Sequence, residues 1–474
     1  MVERKIQKYS PRSNEMLYEV TVASEEEIES ICVKAEDAFL HWRETSISQR
    51  KRILTQFMNA IKENQNVIVD SIIKDTAKAK CEAETEVIES CDIIEYYIKE
   101  EFEGIDSPVD IGIDEEIWTY KKVKKIYQPC GVYAVIKPWN YPFELPIWAI
   151  APLLLTGNSI VFKPSEMSSA TGILLAELIN KTDIPDGVFN VILGDAQTGE
   201  NLIKNSNISG ISFTGSTSTG QKIYQSGYND FPKLSLEMGG SDYAIICNDA
   251  NIDITCKGIL WGAFSNAGQV CVSTEKMLIN EKIYFEFIKK MVEETKKLKI
   301  GSDVSPMISK EQLSNAMNII DFAIQNGCKI LCGGSKVNEQ EYENGNYLYP
   351  TIIECNNKDL LLQLPEIFAP IVFVTPYRKD TDAIRHINES TFNLGCSIWT
   401  EIPKKHNELI QNLDVGMIWI NEVNLPMPQA PWVGRKKSCV GLNLSKEAVY
   451  EAMNMKVIHI DEDVKEREWW YPYN

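Results

Sequence analysis

The spacing of apolar residues changes twice along the chain. From Ser24 to about Lys99 they recur at helical intervals, the mark of helices that each bury one face. Ser24 followed by Glu27 has the spacing of a capping box, and Ile28, Ile31, Cys32, Ala35, Phe39 and Trp42 then share one face of an amphipathic helix. Stripes through Ile53, Phe57 and Ile61, and through Val67, Ile68, Ile72 and Ile73, predict further core-facing helices. Between Ile117 and Tyr127 the segment IWTYKKVKKIY nearly alternates, which predicts an exposed strand with lysines guarding its edge. From Gly131 to Asp249 short apolar runs (GVYAVIK, SIVFK, GVFNVILG, ISGISF, KLSLE, DYAIIC) alternate with helical stretches, the pattern of a parallel sheet with crossover helices. A second α/β pattern runs from Ser241 to about Gly441, with strands near KMLIN, CKILCGG, IVFVTPY, CSIWT and GMIWIN. Met455 to Asp461 predicts one more strand, and the aromatic tail Trp469-Trp470-Tyr471-Pro472-Tyr473 reads as docking on another subunit.

The first parallel-sheet strands end in unusual residues: Pro138-Trp139-Asn140, Lys163-Pro164-Ser165-Glu166, Gly194, Thr214-Gly215-Ser216 and Glu237-Met238-Gly239-Gly240. Open parallel sheets bind ligands beyond the carboxyl ends of their strands, so the candidate site lines one edge of one sheet. A length of 474 residues allows two or three domains, and 44% apolar with 24% charged residues is ordinary for a soluble globular protein. The net charge of −19 argues against nucleic-acid and anionic-membrane partners, so an anionic cofactor needs a local backbone site. Twelve scattered cysteines without a CxxC pair argue against a disulfide framework and against a metal cluster; no metal is expected. His41, His386, His406 and His459 fall in no catalytic or metal-binding spacing. The charged start leads into no signal peptide and the run Leu145 to Leu155 is too short to span a bilayer, so a cytoplasmic location is expected.

Two residues carry candidate chemistry. Cys271 and Glu237 lie beside glycines and small residues that let backbone approach a ligand, and they read as the nucleophile and the base of a thiol enzyme. The strand ISGISF runs into Thr214-Gly215-Ser216-Thr217-Ser218-Thr219-Gly220 and then a helix, whose unpaired amides suit a pyrophosphate. A phosphate-binding P-loop requires lysine and then Ser or Thr after the second glycine. Here Gln221 and Lys222 follow Gly220, which leaves a kinase or ATPase as a minor alternative.

The segments Leu236-Glu237-Met238-Gly239-Gly240 and Phe264-Ser265-Asn266-Ala267-Gly268-Gln269-Val270-Cys271 match the signatures LExGG and FxNxGQxC, and the chain as a whole resembles the aldehyde dehydrogenase superfamily of NAD(P)-dependent, hydrolytic type. That resemblance implies an α/β fold: a Rossmann-like parallel-sheet cofactor domain (1–115 and 131–240), a second α/β catalytic domain (241–441), and a small β oligomerisation arm with a C-terminal tail (116–130 and 455–474) in a homodimer or homotetramer. It implies that Cys271 attacks the aldehyde, that Asn140 with the Cys271 amide holds the oxyanion, that hydride passes to NAD⁺, and that Glu237 activates the water that hydrolyses the thioester. Cofactor contacts implied are Trp139, Lys163, Ser165, Glu166, Gly215, Ser216, Gly220, Gly239, Glu366 and Phe368. A carboxylate at Glu166 would repel a 2′-phosphate, which favours NAD over NADP. Leu145 and Trp148 offer an apolar wall for an aliphatic or aromatic aldehyde; plain core is the equal alternative for both. Lys163 to Glu166 could instead be a turn, and Asn140 a turn cap. The chain departs from the family at Ala149 and Asn454, where many members carry a lysine and a glutamate attributed to a proton relay, and at Val433 and Cys439, where glycines are replaced. The functional alternatives are a CoA-acylating or phosphorylating aldehyde oxidoreductase and an inactive dinucleotide-binding scaffold.

Overall fold

Ser24 caps the helix Glu25–Trp42 as its sequence predicts: its side chain accepts from the Glu27 amide, and the Glu27 carboxylate accepts from the Ser24 amide. Ile28, Cys32, Ala35, Phe39 and Trp42 are buried on that helix, each large side chain contributing about 1.5–3 kcal/mol by leaving water. The computed structural model describes residues 4–113, 121–226, 231–467 and 469–472. Helices Ile47–Glu63, Gln65–Thr76 and Lys80–Lys99 follow. Val67, expected on the buried stripe, is instead 54% exposed, because a helix started at Gln65 turns Ile68 and Ile72 inward and leaves position 67 outside.

Six strands form one sheet in the order Cys439–Val440, Lys233–Glu237, Ile208–Thr214, Val132–Lys137, Ser159–Pro164 and Phe189–Val191. All pairs are parallel except the first, where Cys439–Val440 returns from late in the chain to run antiparallel along Lys233–Glu237. Val132–Lys137 sits centrally: the chain builds outward on one side, then crosses back to Ile208–Thr214 on the other. The crevice at this reversal is where such sheets hold ligands. A seven-stranded sheet follows the order Lys329–Cys332, Thr351–Glu354, Ile371–Tyr377, Thr274–Asn280, Asp242–Ile246, Gly395–Trp399 and Met417–Ile420, with Lys329–Cys332 alone antiparallel. The run DYAII thus belongs to this second sheet, and Thr351–Glu354 is a strand its sequence did not announce.

The last strand, Met453–Asp461, pairs antiparallel with Lys121–Pro129, and Val109–Ile111 completes a three-stranded ribbon. Residues 117–120 of the predicted lysine-edged strand, and Tyr473 of the aromatic tail, lie outside the described residues. A hairpin, Lys5–Tyr9 with Met16–Thr21, precedes the first helix and was not expected from the sequence. No helix among the described residues is long and apolar enough to cross a membrane.

Candidate active site

Asn140 follows the central strand, in the turn before the helix Glu144–Leu155, and is 4% exposed. Its Nδ2 donates to the Gln269 carbonyl at 3.0 Å, and among the described residues a second amide hydrogen is unspent and its Oδ1 has no partner. Cys271 comes just after a tight turn in which Asn266, Ala267 and Gly268 take φ of 47°, 56° and 68°. Left-handed backbone costs a non-glycine residue on the order of 1–2 kcal/mol, so the surroundings must hold it. They do: the Asn266 amide donates to Glu82 (2.8 Å), Asn266 Nδ2 to the Asn140 carbonyl (3.0 Å), and the Ile308 amide to Gln269 Oε1 (2.9 Å). At Gly268 a Cβ would lie 2.2 Å from the Ala369 carbonyl oxygen, so only glycine fits. The position of the sulfur is therefore set by a braced turn.

Cys271 stands where two cavities meet. One, of about 310 Å³, is walled by Tyr141, Leu145, Trp148, Trp261 and Trp432, with Glu82, Glu86, Glu89 and Glu144 among its lining. The other, of about 480 Å³, is lined by Trp139, Gly215, Ser216, Gly239, Glu366 and Phe368, six of the ten predicted cofactor contacts. Cys271, Asn140 and Leu145 line both. Trp139 and Phe368 meet edge to face at 5.7 Å, and a Cβ at Gly239 would fall 2.1 Å from the Glu366 carboxylate.

The other four predicted contacts line neither cavity. Lys163 and Glu166, 4.0 Å apart, sit at the end of the neighbouring strand. Ser165 is engaged as a cap, its hydroxyl accepting from the Met167 amide. Gly220 serves packing, since a Cβ there would meet Met238 sulfur at 2.3 Å. The donors at this edge nonetheless fit a dinucleotide. The helix Thr217–Tyr224 opens with Ser216 as its cap, Thr217 Oγ1 is buried without a partner among the described residues, and the buried Lys163 ammonium, besides facing Glu166, makes one 3.3 Å bond to the Pro164 carbonyl.

Charge is concentrated at the floor of the site. Glu237 ends its strand 2% exposed; burial pushes its carboxyl up to about 7, against the pull of the Lys137 ammonium. Cys439 Sγ is 3.8 Å from Glu237 Oε1, while Asn443 Nδ2 and Trp432 Nε1 face the same carboxyl without reaching hydrogen-bond geometry. Burial, then Glu237, Asp242 and Glu366, hold the Cys271 thiol well above its ordinary range. Glu366 is itself held high by burial, with Glu275 and Asp242 adding to it and the Gly240 amide opposing. Of the expected departures from pattern, Ala149 is buried in the helix Glu144–Leu155, Asn454 is exposed on the last strand, and Cys439 pairs with Glu237 on an edge strand.

Lys137 and the glutamates of the first cavity were not singled out in the sequence. The signal for Lys137 was a lysine closing the otherwise apolar run VYAVI immediately before Pro138. Among the histidines, His406 Nδ1 lies 2.8 Å from Asp380 and Nε2 3.4 Å from Asp249, beside Cys247. Each ring nitrogen of His406 thus faces a carboxylate.

Comparison with known proteins agrees on one family. The model for "Aldehyde dehydrogenase family" matches residues 2–458. D-glyceraldehyde dehydrogenase (NADP⁺) of Picrophilus torridus is 32% identical, covering 96% of this chain and 93% of that protein. 4-Trimethylaminobutyraldehyde dehydrogenase A of Danio rerio is 30% identical over 91% of this chain and 86% of its own. The crystal structure of betaine aldehyde dehydrogenase from Staphylococcus aureus in complex with NAD⁺ superposes with a TM-score of 0.93 at 27% identity, covering 99% of this chain and 94% of that one.

Proposed function

The chain belongs to the aldehyde dehydrogenase family, and we propose that it oxidises an aldehyde to the carboxylic acid through a thiohemiacetal and a thioester on Cys271. The observation that carries this reading is the position of Cys271 at the junction of the two cavities, with Asn140 in both walls. The Cys271 thiolate adds to the carbonyl carbon. Asn140 Nδ2 and the Cys271 amide, which has no partner among the described residues, donate to the oxygen as it gains charge. NAD⁺, when bound, supplies the hydride acceptor. Trp139, Gly215, Ser216, Gly239, Glu366 and Phe368 would border its nicotinamide half, and Lys163, Ser165 and Glu166 its adenosine half. Glu237 then takes a proton from water as the water attacks the thioester. Glu166 supports NAD over NADP, although the Picrophilus relative is named for NADP⁺.

In this reading 1–115 and 131–240 form the cofactor domain and 241–441 the catalytic domain, while 116–130 and 455–474 are arm and tail. Trp469, Trp470 and Tyr471 are 71%, 48% and 79% exposed, which supports burial against another subunit in a homodimer or homotetramer. Twelve free cysteines suit a reducing compartment such as the cytoplasm.

Leu145 and Trp148 support an apolar aldehyde. A second substrate reading rests on the carboxyls in the same cavity. Burial raises Glu82, Glu89 and Glu144, and Lys78, 2.6 Å from Glu86, is the one cation close to them among the described residues. Acidic and aromatic walls together suit an aldehyde with an ammonium end, the type named for the Danio and Staphylococcus proteins. The test is NADH formation with a panel of alkyl, aryl and trimethylammonio aldehydes, with and without coenzyme A or phosphate. Turnover without either acceptor supports hydrolysis. Strict dependence on one means an acylating or phosphorylating enzyme, and cofactor binding without turnover means an inactive scaffold.

A further inference from the structure

A lysine buried to 2% exposure at the end of a sheet strand needs a reason to be there, because an ammonium without an anionic partner is costly to take from water. The Lys137 side chain makes one hydrogen bond among the described residues, Nζ to Thr214 Oγ1 at 2.9 Å. The sheet register explains what lies beyond. Ile136 pairs with Phe213, so Lys137 comes level with Thr214; Thr214 pairs with Glu237, and Glu237 with Cys439. Four adjacent strands thus end in one row, ammonium, hydroxyl, carboxyl and thiol, and residues level across a sheet point to the same face. Lys137 lines neither cavity, so it touches neither substrate nor cofactor there.

We propose that Lys137 is a positioning residue for the base: anchored on Thr214, its buried ammonium keeps Glu237 in the proton-accepting form needed to hydrolyse the Cys271 thioester. The inference rests on the hydrolytic reading given above. In the step it serves, water gives a proton to Glu237 and its oxygen bonds to the acyl carbon. The carbon–sulfur bond then breaks, and the proton held on Glu237 returns to sulfur. Lys137 exchanges no proton in this sequence; its charge acts on the carboxyl. The charged and titratable groups around the pair are few. Glu237 faces Lys137, Cys439 and Cys271, with Asn443 and Trp432 as neutral neighbours, and Lys137 faces Glu237 and Cys439. Burial drives both groups toward their neutral forms and each restrains the other, the net result leaving Glu237 pushed up to about 7 and Lys137 pushed down to about 8.

The experiment is the pH dependence of the hydrolysis of p-nitrophenyl acetate, whose acetyl group passes to the thiol and leaves with water, with no redox step. Wild type, Lys137→Met, Lys137→Arg and Glu237→Gln are compared, each checked for folding by thermal melting. The expected result is that Lys137→Met moves the acid limb of deacylation upward by about one to three pH units, while Lys137→Arg restores it. Glu237→Gln should abolish the limb. An unshifted limb in a folded Lys137→Met enzyme, or an equal shift in Lys137→Arg, overturns the proposal. If Lys137→Met does not fold, Lys137→Arg with an unchanged limb supports it and a lost limb overturns it. Failure of wild type to release p-nitrophenol, or of Cys271→Ala to lose that release, would instead overturn the hydrolytic reading itself.

Discussion

Replacing Asn140 with alanine separates chemistry from stability, because the structure assigns the two effects different sizes. For folding, Asn140→Ala removes one hydrogen bond, from Nδ2 to the Gln269 carbonyl at 3.0 Å. That carbonyl keeps a second donor, Asn266 Nδ2 at 3.3 Å, so no buried acceptor is orphaned. The loss is about 1 kcal/mol, the net worth of an ordinary hydrogen bond. For catalysis the same change removes the unspent amide hydrogen beside Cys271, a donor of the kind whose loss costs about 3–4 kcal/mol of barrier, or 10²–10³-fold in kcat. The assay is steady-state NADH formation across aldehyde concentrations, beside a thermal melt and NAD⁺ binding by fluorescence quenching. Asn140→Ala should melt close to wild type, bind NAD⁺ with similar affinity, and lose at least a hundredfold in kcat. Asn140→Asp, which puts a carboxylate where the oxyanion forms, should lose at least as much. A kcat within tenfold of wild type in a folded Asn140→Ala protein would refute the oxyanion role.

Three other expectations are independent of that one. Cys271→Ala should abolish NADH formation and leave NAD⁺ binding intact, and mass spectrometry should no longer find an acyl adduct on the protein after exposure to substrate. Glu166→Ser, which removes the carboxylate 4.0 Å from Lys163, should raise the NADP⁺-to-NAD⁺ ratio of kcat/KM by at least tenfold; an unchanged ratio would separate Glu166 from cofactor choice. Arg50 is buried among the carbonyls of Arg43, Thr45 and Leu155, to which it donates at 2.9, 2.7 and 3.2 Å. Arg50→Met takes this donor from the buried Leu155 carbonyl and from the part-buried Arg43 and Thr45 carbonyls, and at about 1–3 kcal/mol for a buried acceptor left unpaired it should destabilise the chain by about that amount, read as a lower denaturation midpoint in urea.

What the sequence made legible follows from the range of each signal. The capping box at Ser24, the helical stripes and the strand runs are local, and within the described residues each element they predict is present, because period and capping depend on neighbours a few residues away. The cofactor-edge residues were legible as motifs because glycine tolerance is a backbone property: at Gly268 and Gly239 the space for a Cβ is taken by a carbonyl and a carboxylate. What stayed hidden was pairing between distant segments. Nothing in Thr351–Glu354 alone says that it will lie beside Ile371–Tyr377, and nothing in Cys439–Val440 says that it will return to the sheet begun three hundred residues earlier.

Lys137 shows the same limit at the level of chemistry. In the sequence it is a lysine before a proline, and only the register of three strands makes it a neighbour of Glu237. Ala149 and Asn454, where the resemblance implies a proton relay in other members, are here one buried and uncharged and the other exposed on the last strand. A buried carboxyl that must accept a proton needs a compensating positive charge from somewhere, since burial alone holds it protonated near neutral pH. On the proposal above that charge comes through the sheet from Lys137, two strands away from Glu237, so the requirement at Glu237 is met by a residue outside the family's motifs. The requirement belongs to the chemistry of the site, and the position that meets it is set by which strands the fold brings level.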